Sequence, residues 1–314
     1  MNILRAAAAT MAASALAALT AAVAPAAQAA AICPGAGQAS VRAGSVSGAA
    51  FEGLTVDPHG RAYVTDLSSG RVFRIDAPGA AAVPVATVPG AGGLAWTPDG
   101  KLLIGYGSNP GVIVGDAVRA AGIDEFDPAT GALTRYAAGV SAASGLAVGH
   151  DGTAYATNDF ATLVGRIRPG GAVQADWSRF PSANGAVLDR TGQFLYVSRT
   201  FSNPGVSRIP IGNPGAPQSL LDLTGPDLTA APDGLTLDSQ DRPVLPFNPS
   251  GRIVRVDAPG HYCELGTAGP TTSVVSYGRG STGFSAGRLF AATFGGVVYE
   301  IPGGFDPHAT TATP

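Results

Sequence analysis

Six positions one residue ahead of a recurring glycine carry the chemistry this chain has to offer. They are Glu52, Gly92, Ser144, Asn184, Asp233 and Thr282. Two carboxylates, one amide and two hydroxyls are all oxygen donors. An oxygen-only set suits a hard cation, and a flexible set completed by water suits Ca²⁺. The competing reading is local: Asn-Gly and Asp-Gly are ordinary turn dipeptides, and Glu52 would then be a solvated loop residue. The choice rests on whether the segments bearing these residues superpose.

The segments do recur. Phe51-Glu-Gly-Leu-Thr-Val-Asp-Pro-His-Gly60 is echoed by Gly92–Gly100, Ser144–Gly152, Asn184–Gly192, Asp233–Asp241 and, in degraded form, Thr282–Gly287. The shared glycines 53, 93, 145, 185, 234 and 283 are spaced by 40, 52, 40, 49 and 49 residues, the period of propeller blades. Within each unit, alternating strands such as Leu54–Val56, Ala62–Val64 and Arg71–Asp76 are separated by turns such as Asp57-Pro-His-Gly60. The expected fold is all-β: a six-bladed β-propeller with four-stranded blades around a central channel. Inner strands crowd near the axis, which favours a residue without Cβ. A Gly- and Pro-containing insertion around Ser108 to Gly122 is expected as a long loop over one face.

The ends of the chain have their own signals. Met1–Arg5, the Ala-rich run that follows and Ala27-Gln28-Ala29 form the three-part pattern of a secretory signal. We expect residues 1–29 as signal peptide, 30–50 as an arm helping to close the ring, 51–302 as the propeller and 303–314 as a tail. The protein is then secreted, and its two cysteines, Cys33 and Cys263, are expected to pair; two separate buried thiols are the alternative. Charged residues make up 13% of the chain and the net charge is −3, a balance unlike that of nucleic-acid or anionic-membrane binders. The expected partner is a small molecule, bound by a monomer.

Other motifs lead nowhere. There is no nucleophile elbow, zinc-protease helix or P-loop. Gly278-Arg-Gly-Ser-Thr-Gly283 matches G-x-G-x-x-G, but a strand-like run follows where a phosphate site needs a helix. His59 and His150 fall in the repeated turns.

Phe-Glu-Gly-Leu at 51–54, Ala-Asn-Gly at 183–185 and Pro-Asp-Gly-Leu-Thr-Leu-Asp at 232–238 resemble the senescence marker protein (regucalcin)/gluconolactonase family. The resemblance implies a catalytic divalent cation, often Ca²⁺, held by a Glu, two Asn and an Asp from blades one, three, four and five. Glu52, Asn184 and Asp233 match, and Asp233 is implied as both ligand and general base. Ser144 stands where the family has Asn, and Ala142 where the lactonases often keep a substrate-gripping Arg. Asp66, Asn158 and Asp159 end strands nearby, either as pocket residues or as turn residues. The function expected is a calcium-dependent hydrolase of the lactonase or esterase type. The alternative is a non-catalytic propeller that binds a partner or small ligand, with any metal structural.

Overall fold

A computed structural model describes residues 31–311; the expected signal peptide lies outside them. The described chain folds into six antiparallel sheets arranged as a six-bladed β-propeller. Blade one shows the plan: Phe51–Val56 innermost, then Ala62–Asp66, Arg71–Ile75 and Ala82–Thr87 outward. The inner strands of the next five blades begin at Leu94, Leu146, Ala183, Thr236 and Thr272.

Period-two alternation explains why both faces of a blade are buried. In blade one, Ala62, Val64, Phe73 and Ile75 pack against Phe284, Phe290 and Val298 of blade six. Tyr63 and Val72 point the other way and meet Leu94, Leu102 and Ile104 of blade two. The same division repeats around the ring, so the core is six apolar layers, each shared by two neighbouring blades.

A recurring hydroxyl ties the inner strands together. Thr65 Oγ1 accepts from Gly53 N at 2.7 Å and donates to the carbonyl of Gly92 in the next blade at 2.8 Å. Thr157 does the same between Gly145 and Asn184. Ser198 accepts from Gly185 N at 2.9 Å. These backbone groups near the axis thereby gain a partner.

The sixth repeat differs from the sequence expectation. The inner strand of blade six is Thr272–Tyr277, not the segment at Thr282-Gly283. Gly234 bridges in parallel to Val274, and Ser273 Oγ donates to the carbonyl of Phe51 at 2.6 Å, completing the ring. Thr282 is exposed, and its carbonyl lies against Gly60 in the turn that ends the inner strand of blade one. Thr282 is therefore at the opposite rim from Glu52. Gly283 has φ +63° and serves a turn.

The N-terminal arm closes the ring twice. Val41–Ser45 pairs antiparallel with Val297–Ile301 as the outer strand of blade six. Ala31–Ile32 pairs in parallel with His261–Thr267 of blade five, where Cys33 and Cys263 form a disulfide with Cα atoms 5.0 Å apart. The bond spans 230 residues; chain entropy assigns such a closure about 5 kcal/mol.

The insertion in blade two is more ordered than a plain loop. It forms a 3₁₀ turn, Pro110–Val114, and a short helix, Gly115–Val118. Asp116 clamps it to blade three, accepting from Thr162 N, Thr162 Oγ1 and Leu163 N at 2.6–3.0 Å, and from Ser141 Oγ at 2.7 Å.

Candidate functional site

A β-bulge sets Glu52 and Asn184. Phe51 pairs with Asp66 and Leu54 with Val64, so Glu52 and Gly53 together face Thr65. Ala183 pairs with Arg199 and Ala186 with Val197, so Asn184 and Gly185 face Ser198. The extra residue re-aims the side chain that precedes the glycine. The glycines themselves are sterically required: a Cβ on Gly53 would lie 2.5 Å from the Gly92 carbonyl, and one on Gly145 2.3 Å from that of Asn184. Blade two contributes no side chain, because a Cβ on Gly92 would meet Ser108 Oγ at 2.5 Å and the Ala143 carbonyl at 2.7 Å.

Glu52, Ser144, Asn184 and Asp233 line one central channel, a cavity of about 380 Å³. Asn184 and Asp233 are buried and in contact: Asn184 Nδ2 donates to Asp233 Oδ1 at 2.8 Å and to Thr200 Oγ1 at 3.1 Å. Asp233 Oδ2 accepts from Asn248 Nδ2 at 2.7 Å, and Oδ1 also accepts from Gly234 N at 2.9 Å. Ser144 Oγ donates to Asp159 Oδ1 at 3.3 Å. Glu52 Oε2 is buried with no hydrogen-bond partner.

No cation of the described chain neutralises this group. Burial raises Glu52 well above its ordinary value, and the charges of Asp233 and Asp159 add to the effect. Burial likewise pushes Asp233 up to about 7, against the hydrogen bonds from Asn248, Gly234 and Asn184. Asp159 is raised to about 6, again chiefly by burial. Three acids that resist ionisation in one place, one with an orphaned oxygen, form a donor set suited to a divalent cation. Their oxygens do not all lie within 4.8 Å of one another, so a shared ion needs neutral donors or water as well. Asn184 supplies one, since no hydrogen bond among the described residues reaches its Oδ1.

The remaining sequence candidates separate. Asp159 joins the cluster. Asn158 does not: its Nδ2 donates to the Val112 carbonyl and to Ser141 Oγ, holding the insertion, and its Oδ1 accepts from Phe160 N. Asp66 is a strand-end turn residue, taking Ala50 N, Ser68 N, Ser68 Oγ and Ser69 Oγ. Those bonds hold it below its ordinary value although burial pulls upward. Asn248 and Thr200 were not anticipated; both follow the second strand of a blade, one residue beyond the position Asp66 occupies in blade one and level with Leu67. Cys33, Asp257 and Cys263 also lie at metal-ligand spacing, but both sulfurs belong to the disulfide.

Comparison with known proteins agrees with this architecture. No family model matches the chain, and no curated protein matches it. Among solved structures it is similar to regucalcin, a calcium-binding protein of Agrobacterium tumefaciens, at 19% identity and a TM-score of 0.68 over 87% of this chain and 95% of that one. It is similar to a gluconolactonase of Xanthomonas campestris at 18% identity and a TM-score of 0.64, over 82% and 86%. Virginiamycin B lyase of Staphylococcus aureus follows at 16% and 0.54, over 80% and 84%. At these identities the likeness is one of fold, a six-bladed β-propeller, with the regucalcin and gluconolactonase structures that the sequence motifs resemble among its neighbours.

Proposed function

We propose that the protein is an exported, calcium-dependent hydrolase of the lactonase or esterase type that acts on a small molecule. The observation that carries this reading is the buried, cation-free group of Glu52, Asp159 and Asp233 around an unpartnered carboxylate oxygen. Export is supported by the signal-like N-terminus and by the Cys33–Cys263 bond, which suits an oxidising compartment.

Glu52, Asn184 and Asp233 would hold the ion, with Ser144 assisting, directly or through water. When bound, the cation supplies Lewis-acid stabilisation of the oxyanion that develops on a scissile carbonyl. Asp233 takes the proton of the attacking water; Asn184 and Asn248 fix both of its oxygens, so the base is pre-oriented. Asp159 withdraws the Ser144 hydroxyl toward itself.

A panel of lactones and aryl esters, assayed with Ca²⁺ and after chelation, tests the reading. Turnover that chelation abolishes and Ca²⁺ restores is expected. Turnover indifferent to metal removal rejects it. A non-catalytic propeller is the second reading, favoured by Ala142, which is buried and brings no charge where the lactonases often keep Arg. In that case Ca²⁺ raises the melting temperature while every hydrolase assay stays blank.

A further inference from the structure

The far end of the same channel holds a different kind of group. Glu52, Asn184 and Asp233 stand at the starts of inner strands, whereas Arg279 follows the end of the inner strand Thr272–Tyr277, at the opposite rim. Among the residues that line the channel, it is the one arginine, and there is no lysine. Its guanidinium makes no hydrogen bond and no ion pair within the described chain. Asp57, the carboxylate whose charge acts on it, is already held by Arg61 at 2.6 Å.

The G-x-G-x-x-G match is what puts the side chain there. No helix follows; the segment turns back on itself through bridges from Gly278 to Ala286 and from Gly280 to Ser285. A Cβ on Gly280 would lie 2.4 Å from Gly60 Cα, and one on Gly278 2.1 Å from the Ser285 carbonyl. Only glycines on both sides let Arg279 sit flush in the channel wall.

An arginine cannot shed its charge as a lysine or histidine would. Burial lowers its guanidinium below the ordinary value, and no acceptor of the described chain pairs with it. An anion is the partner that restores the balance. Its charge is limited by the guanidinium itself, since one guanidinium neutralises one charge. The intervening wall mixes Leu94, Leu146 and Val187 with Thr55, Thr236 and Ser276.

We propose that this end of the channel binds the carboxylate of a small organic acid, with Arg279 as its counter-ion. The site is independent of any metal at the other end. Calorimetric titration with benzoate and with its uncharged analogue benzamide tests it, on wild type, Arg279→Gln, Arg279→Lys and Glu52→Gln. Benzoate is expected to bind about tenfold more tightly than benzamide. Arg279→Gln should erase that difference, Arg279→Lys should keep part of it, and Glu52→Gln should leave it intact. Equal binding of the two probes, no binding of benzoate, or wild-type affinity in Arg279→Gln overturns the proposal. Inorganic phosphate binding more tightly than benzoate also overturns the assignment to a monocarboxylate. Should Arg279→Gln fail to fold, the two probes on wild type and on Arg279→Lys still decide.

Discussion

Asp233 and Asp238 stand five residues apart in blade five, yet their surroundings are opposed. Asp238 accepts from the backbone N–H groups of Gln240 and Arg242 and pairs with Arg242 Nε at 2.7 Å. Asp57 repeats the arrangement in blade one, with His59 N, Arg61 N and Arg61 Nε. Asp233 receives only neutral donors, and its charged neighbours are other acids. The turn acids carry their own cation four residues on and finish a hairpin. The channel acids have none, and that deficit is what an external cation would fill.

Substitutions that exchange these roles break the comparison most sharply. Asp233→Asn removes the proposed base and one proposed ligand while keeping shape, and we expect hydrolysis to fall roughly a thousandfold with no loss of melting temperature. Asp238→Ala should do the reverse. It leaves Arg242 only its 3.4 Å contact with Asp257 and strands two turn N–H groups, costing about 2–4 kcal/mol, visible as a melting point lower by several degrees with Ca²⁺ affinity unchanged.

The pH dependence of stability separates the two classes next. Glu52, Asp159 and Asp233 have folded-state values above their unfolded ones. Between the ordinary carboxylate range and about 7, the folded metal-free protein therefore holds more protons than the unfolded chain, and stability falls as pH rises through that window. Acids held low, such as Asp66, contribute in the opposite sense and only at lower pH. Thermal melts of chelated protein should fall by about 5 °C from pH 5 to pH 8, and Ca²⁺ should restore the loss at pH 8. A flat or rising profile would mean the acids are not clustered. The smallest effect is expected for Asn248→Ala, which frees one oxygen of Asp233; a loss of about tenfold in turnover with little change in Ca²⁺ affinity would sharpen the split between orienting and ligating groups.

Much of this was legible in the repeats. Glu52, Asn184 and Asp233 were marked by one rule, the residue before the axial glycine, because crowding at the axis forces that glycine and the adjoining bulge aims its neighbour. The rule failed in blade six. The ring position there is Val274, accommodated because Gly234 opposite lacks a Cβ, which would sit 2.8 Å from the valine side chain. The glycine that imitated the pattern, Gly283, serves a turn at the other rim. Asp66, Asn158 and Asp159 were equivalent on paper. They part only in three dimensions, where local N–H and hydroxyl donors satisfy Asp66, and the insertion engages Asn158 but not Asp159. Asn248 stands one residue beyond the strand-end position of Asp66, level with Leu67, and nothing in sequence tells which strand ends face the channel.

Calorimetric titration of Ca²⁺ into chelator-treated protein, on wild type and on Glu52→Gln, probes the cation-deficient cluster most directly. Wild type should take up one ion per chain, and the variant, having lost the orphaned carboxylate, should bind roughly a hundredfold more weakly. No uptake by wild type, or equal affinity in both proteins, would contradict the account.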